Sequence, residues 1–317
     1  MRFLNPAIGV AVHGTRPEAY AVLMPRVQSN GIEIEYTEQG HGDPLLLVMG
    51  LGGQLIDWPA GFVDALVTQG FRVISFDNRD IGLSTEMSGE GLSRSALFKA
   101  LLRRPVKAPY LLSDMAADAV GLLDALEIDQ AHVVGMSMGG MISQEITVGW
   151  PERVLSLTSI MSHTGDKKNG ITDPKLAIKL QRQGDPDPSD RESVIANMVN
   201  IWKWISGATY DEAESRRQIE AAVDRSIRVA GTSRQTAAIF ASRDRTTALR
   251  SVRTPTLVIH GLQDPLVRPS GGQATAKAVP GARLIMFPEM GHDLPANRWV
   301  EMAEEIRRNA DRAALPT

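Results

Sequence analysis

Ala131-His132-Val133-Val134-Gly135-Met136-Ser137-Met138-Gly139-Gly140-Met141-Ile142 is the stretch on which the reading of this chain turns. Ala131 to Met136 reads as a strand and Met138 to Gly149 as a helix. Between them Gly135-Met136-Ser137-Met138-Gly139 matches G-x-S-x-G, a short pattern that gains meaning only from a strand before it and a helix after it. A nucleophilic serine on so tight a turn sits in strained backbone. Residues two positions away on either side then approach each other, and Gly135 and Gly139 carry no Cβ to clash. The serine projects at the C-terminal edge of the sheet, where open α/β sheets bind ligands. The plain alternative is a glycine-rich strand-to-helix turn in another kind of α/β protein.

Working outward, the same alternation recurs. Ile32, Ile34 and Tyr36 alternate with Glu33, Glu35 and Thr37, as in a half-buried strand. Leu45-Leu46-Leu47-Val48-Met49 is a continuous apolar run, the signature of a strand covered on both faces. Strands are predicted over Phe71–Phe76, Val154–Ile160, Thr256–His260 and Arg283–Phe287, and helices over Asp114–Leu126, near Gln273–Ala278 and from Pro295 onward. Alternating strand and helix implies a mostly parallel central sheet with helices on both faces. Residues 1–30, with Pro6, Pro17 and Pro25, show no clean period and read as an N-terminal arm.

Residues 165–245 break the pattern. No strand-like run occurs there. Asp173–Pro174 reads as a helix N-cap with proline in the first turn, and Gly184 closes that segment. Ser189 with Glu192 and Thr209 with Glu212 fit capping-box spacing, and Gly207 and Gly231 fit helix ends. Val194, Met198, Trp202 and Ile205 form a stripe at helical spacing. The expected organisation is a core over 31–164 and 246–317 with a helical cap over 165–245.

A serine hydroxyl needs a general base. Among the six histidines, only His163, His260 and His292 follow Ser137 near strand C-termini. His292, in Pro288-Glu289-Met290-Gly291-His292-Asp293, is the preferred base, with His163 and His260 as alternatives. Asp264, in a loop after a strand and ahead of Pro265, is the preferred acid to hold the imidazole. Asp166 is the fallback, and Asp293 is too close in sequence to reach around the ring. A developing oxyanion needs fixed N–H donors. The expected pair is the backbone of Met138 and of Leu51, in Met49-Gly50-Leu51-Gly52-Gly53. Read instead as a dinucleotide loop, that stretch has Leu55 where the third glycine belongs. Met136, Gly50, His163 and Trp202 are the candidate pocket residues, with Met138, Met141 and Met49 adding to an apolar site. Trp204 cannot share a helix face with Trp202.

Composition sets the bounds. The chain has 317 residues, 43% hydrophobic and 22% charged, and a formal charge of −3. It is able to bury a core and carries no basic nucleic-acid footprint. There is no cysteine, which excludes disulfides and thiol chemistry. No apolar run approaches the roughly 20 residues of a membrane span, and a cytoplasmic chain is expected. Neither a metal nor a cofactor is required, and the oligomeric state stays open, a homodimer included.

With these residues assembled, the chain resembles the α/β-hydrolase superfamily. The resemblance rests on Leu47-Val48-Met49-Gly50-Leu51-Gly52-Gly53, on Phe76-Asp77-Asn78-Arg79-Asp80-Ile81-Gly82-Leu83-Ser84 and on His132 through Gly140. Within it, the chain looks most like bacterial aclacinomycin methylesterases and cofactor-free haloperoxidase-like esterases. One departure is Met49, where the family's loop often begins with histidine, so a polar anchor for that loop is missing. The resemblance implies a serine carboxylesterase acting on a small to medium hydrophobic ester through an acyl-enzyme. Lactone, thioester, carbon–carbon and perhydrolytic reactions stay open on the same residues, as does a slow-turnover ligand receptor.

Overall fold

The computed structural model describes residues 24–93, 104–184 and 186–314. Most of the expected arm, His13 included, lies outside the described residues. The strands are β1 (Arg26–Ser29), β2 (Ile32–Gln39), β3 (Asp43–Val48), β4 (Phe71–Phe76), β5 (Ala131–Met136), β6 (Val154–Ile160), β7 (Thr256–Gly261) and β8 (Arg283–Phe287). The helices are α1 (Ala60–Thr68), α2 (Leu112–Ala125), α3 (Met138–Gly149), α4 (Pro174–Gln183), α5 (Arg191–Ile205), α6 (Glu212–Arg225), α7 (Val229–Ala241), α8 (Thr246–Leu249), α9 (Ser270–Ala278) and α10 (Trp299–Asp311).

All the strands join one sheet in the order β1-β2-β4-β3-β5-β6-β7-β8. β1, β2 and β4 pair antiparallel, and every pair from β4 to β8 is parallel. β1 is a correction to the arm. Residues 26–29 form a hairpin with β2 around Asn30 and Gly31, both at positive φ. Four residues are too few to show a period.

The apolar run of β3 divides by parity. Leu45 and Leu47 enter one core with Phe62 and Leu66 of α1 and Met302 and Ile306 of α10. Leu46 and Val48 enter the other with Met115 and Leu122 of α2 and Ile142 and Ile146 of α3. Each such side chain contributes roughly 1.5–3 kcal/mol on burial, so both faces are committed and the register cannot slip. Helix α1 was not read from sequence. Its Phe62, Val63 and Leu66 are buried, but nine residues without a side-chain cap give a weak signal.

Residues 165–245, expected as a helical cap, carry α4 to α7 and, among the described residues, no strand. Asp173 caps α4 by accepting from the Lys175 N–H, Pro174 follows, and Gly184 ends the helix at φ 70°. The other two caps differ from expectation. Asp190 rather than Ser189 caps α5, and Asp211 rather than Thr209 caps α6, each accepting two backbone N–H groups. A charged acceptor suits the positive end of a helix better than a hydroxyl. Gly231 lies in the first turn of α7, not at a helix C-terminus. A Cβ there would stand 2.1 Å from the carbonyl oxygen of Asp80, so this glycine lets α7 lie directly on the core. Among the described residues, no helix is long and apolar enough to cross a membrane.

Candidate active site

Ser137 occupies the turn between β5 and α3 at φ 54° and ψ −121°. A non-glycine residue there costs on the order of 1–3 kcal/mol, and the surroundings must hold it. They do so by backbone bonding. The Ser137 N–H donates to the Ile160 carbonyl at 2.9 Å, and the Ser162 hydroxyl donates to the Ser137 carbonyl at 2.7 Å. The flanking glycines are sterically compelled. A Cβ on Gly135 would lie 2.2 Å from the Gly139 carbonyl oxygen, and one on Gly139 would lie 1.9 Å from that of Val48. Gly149, in the same helix, has nothing within 4 Å of its virtual Cβ. Gly139→Ala is therefore expected to destabilise the fold by at least about 2–3 kcal/mol, whereas Gly149→Ala is neutral or stabilising. Paired denaturant melts check this, and equal midpoints for the two variants would contradict it.

The loop after β8 carries His292 to the serine. His292 Nε2 lies 2.9 Å from Ser137 Oγ, and its Nδ1 lies 2.7 Å from Asp264 Oδ2. An ionised carboxylate only accepts, so Nδ1 carries the proton and Nε2 is free to accept from the serine hydroxyl. Asp264 sits just after β7, 2% exposed. Its Oδ1 accepts the backbone N–H groups of Leu266 and Val267, both at 2.9 Å. Burial alone would raise its pKa. The neighbouring His292, and after it His260, outweigh burial and hold the carboxyl down at about 2.

The other candidates have local partners. His260 is wholly buried; its Nε2 donates to the Val267 carbonyl at 2.7 Å and lies 3.4 Å from Asp264 Oδ2. It stands behind the acid rather than beside the serine. His163 Nδ1 accepts the Gly165 N–H at 2.9 Å and serves a turn. Desolvation, then Arg245, pushes that imidazole down to about 4, so it is neutral at pH 7. Asp166 accepts from the Lys168 N–H and from Asn169 within its own loop. Asp293 ties the His292 loop to the cap, its Oδ1 accepting from Gly291 at 2.9 Å and Gly207 at 3.1 Å. The His292 N–H itself donates to the Ile205 carbonyl at the end of α5.

The loop after β3 passes next to the serine. A Cβ on Gly50 would stand 3.3 Å from Ser137 Cβ. Among the described residues, neither the Leu51 nor the Met138 backbone N–H has an acceptor, which leaves both available. Asn78 Nδ2 donates to the Met49 carbonyl at 3.1 Å, and Gln235 Oε1 accepts the Gly52 N–H at 2.9 Å. Sequence reasoning missed both residues. A polar side chain in a loop or on a cap helix gives no sign of which distant backbone it meets.

The residues expected around an apolar pocket also pack against the cores and the α5–α6 seam. Met138 and Met141 pack into one core of the sheet, Met49 and Met136 into the other. Trp202 packs on the cap's own cluster of Val194, Val199, Ile219 and Val223, while Trp204 meets Lys179. The two tryptophans point different ways, and Trp202 is half-buried where it meets the α5–α6 seam.

Cap and core meet through buried charge. Arg225 of α6 reaches Gln54 Oε1 at 2.6 Å, Asp77 Oδ2 at 2.8 Å and Glu35 Oε1 at 3.0 Å. Arg234 of α7 grips both oxygens of Asp80, at 2.7 and 3.0 Å, and Tyr110 donates to the same carboxylate at 2.5 Å. Removing one partner of such a buried pair strands the other charge, so these pairs register the cap on β2 and on the loops after β3 and β4.

Comparison with known proteins agrees with this architecture. The family model described as the alpha/beta hydrolase fold matches residues 43–296. The rhodomycin D methylesterase DnrP of Streptomyces peucetius is 31% identical over 299 residues, covering 86% of this chain and 93% of that protein. A 2-hydroxymuconate semialdehyde hydrolase of Pseudomonas sp. (strain CF600) is 30% identical, covering 90% and 94%. Among solved structures, a thermophilic esterase from Thermogutta terrifontis superposes with a TM-score of 0.67 at 21% identity, covering 92% of this chain and all of that one. The enol-lactonase of Burkholderia xenovorans LB400 gives 0.66 at 22%, covering 92% and 99%. At such identity the structures speak for the fold alone. The family match, however, runs from β3 through the cap to the loop that bears His292, and on that extent the chain belongs to the alpha/beta hydrolase family.

Proposed function

We propose that this protein is a serine carboxylesterase that hydrolyses a small to medium hydrophobic carboxylic ester through an acyl-enzyme. The observation that carries the reading is the unbroken line Ser137 Oγ–His292 Nε2 at 2.9 Å and His292 Nδ1–Asp264 Oδ2 at 2.7 Å. Ser137 Oγ attacks the ester carbonyl while His292 Nε2 takes its proton. The Leu51 and Met138 N–H groups receive the charge that builds on the carbonyl oxygen. The C–O bond to the alcohol breaks, and the alcohol leaves with the proton from His292. Water then loses a proton to His292, attacks the acyl carbon and releases the acid, and Ser137 recovers its proton. Asp264 stays ionised throughout and stabilises the imidazolium. The similarity to a rhodomycin D methylesterase favours esters of a small alcohol with a bulkier acid. The test is a panel of p-nitrophenyl esters of graded acyl length, methyl esters of aromatic acids and lactones, run on the parent and on Ser137→Ala. Turnover of lactones alone, or turnover surviving in Ser137→Ala, would sink the assignment.

A further inference from the structure

The loop that carries Leu51 is a four-residue turn held by three hydrogen bonds, and one of them comes from the cap. The Gly53 N–H donates to the Gly50 carbonyl at 3.3 Å, closing the turn. Asn78 holds the Met49 carbonyl from the core side. Gln235, on α7, holds the Gly52 N–H from the cap side. The bonds fall on successive peptide planes. The Asn78 bond orients Met49–Gly50, the turn bond orients Gly50–Leu51 and the Gln235 bond orients Leu51–Gly52. Because a trans peptide sets its C=O and N–H on opposite sides, pinning the Gly50 oxygen inside the turn directs the Leu51 N–H outward.

Gly52 has φ +71°, as the third position of a type II turn requires. Types I and II differ by a flip of the central peptide, here Leu51–Gly52. An acceptor on the Gly52 N–H selects one of the two. Gln235 is suited to hold that choice. It is completely buried, and its other end donates to the Arg79 carbonyl at 2.9 Å. Its neighbour Arg234 is anchored on Asp80 by two bonds. Gly231 brings the helix down onto the Asp80 backbone, and Thr232 packs against Gly52.

We propose that Gln235 is a positioning residue that, by fixing the Leu51–Gly52 peptide, holds the turn whose Gly50–Leu51 plane aims the Leu51 N–H at the reacting oxygen, making the oxyanion site complete only when the cap is docked. The inference rests on the esterase reading above. Its test compares the parent, Gln235→Met and Ser137→Ala on p-nitrophenyl butyrate, with butylboronic acid as an inhibitor. The boronate adds to Ser137 Oγ and forms a tetrahedral adduct whose oxygen occupies the oxyanion site. Losing an oxyanion donor outright costs about 10²–10³ in rate, and a misaimed donor costs a part of that, about tenfold. Gln235→Met is expected to lower kcat about tenfold, to weaken boronate inhibition by a similar factor and to leave KM within about twofold. Unchanged kcat overturns the proposal, and so does a fall in kcat with boronate affinity intact. Where Gln235→Met does not fold, Gln235→Asn carries the same reading, its amide being one methylene too short to span Gly52 and Arg79. Full turnover by Ser137→Ala would instead remove the esterase reading itself, whatever Gln235 does.

Discussion

Ser137→Ala is expected to lower kcat on a chromogenic ester by about 10⁵–10⁶ while leaving the melting temperature within a few degrees of the parent's. The two halves of that statement have separate causes. On the proposed mechanism the nucleophile is gone, and the remaining donors and binding contacts sustain only about 10³-fold catalysis over water. Structurally, little changes. Alanine keeps the Cβ and therefore the same strain at φ 54°. The bonds that hold the turn, from the Ser137 N–H to Ile160 and from Ser162 to the Ser137 carbonyl, are made by backbone atoms of residue 137 and survive. Among the described residues, the only side-chain bond lost is the one to His292. Steady-state kinetics and a thermal melt on the same preparation check both halves. Retention of about a tenth of the parental kcat would mean that the hydroxyl is not the nucleophile.

Asp264→Asn is the second large effect, an expected fall in kcat of about 10³–10⁴ with KM nearly unchanged. The carboxylate accepts the proton on His292 Nδ1 at 2.7 Å, which leaves Nε2 bare toward the serine. An amide offers N–H as readily as C=O, and with the N–H turned to the ring it imposes the opposite tautomer. The two backbone donors on Oδ1, Leu266 and Val267, favour that orientation because they need the amide oxygen. The double variant Ser137→Ala/Asp264→Asn is expected to be no slower than Ser137→Ala alone, since the residues act as a unit. Additive losses would contradict that coupling.

A pH dependence follows from the same carboxylate. Its folded pKa of about 2 lies below the roughly 3.9 of an unfolded aspartate. A depressed acid contributes stability above its unfolded value and loses it as pH falls through the folded one. The stability gap between the parent and Asp264→Asn is expected to be full above about pH 4 and to close as pH approaches about 2. Denaturant midpoints across that window measure it. A gap that widens with acid would mean that the histidines are not what holds the carboxyl down.

The sequence alone determined whatever is written in local pattern. The apolar run of β3 demands a strand covered on both faces, and the alternation of such runs with helices demands a parallel sheet. Gly135 and Gly139 announce Ser137 because only glycine survives 2.2 and 1.9 Å approaches to backbone oxygen. Chain order and loop position after β7 and β8 were enough to single out Asp264 and His292. These are properties of neighbours along the chain, legible without coordinates. Where local signal was thin, at β1 and α1, the reading failed for want of residues in the pattern. Tertiary structure alone decided the rest. It gave the four methionines their places in the two cores and set Trp202 against the α5–α6 cluster, because an apolar residue reads the same whichever apolar surface it meets. It assigned Gln235 and Asn78 to the Leu51 loop, Gly231 to the contact with Asp80, and Asp293 to the bond between cap and His292 loop. Those partners lie tens to hundreds of residues apart, and a hydrogen bond between them leaves no period or spacing in the chain. In this protein Ser137, Asp264 and His292 stand just beyond strand ends, while the bonds of Arg225, Arg234, Gln235 and Asp293 run between residues 165–245 and the rest of the fold.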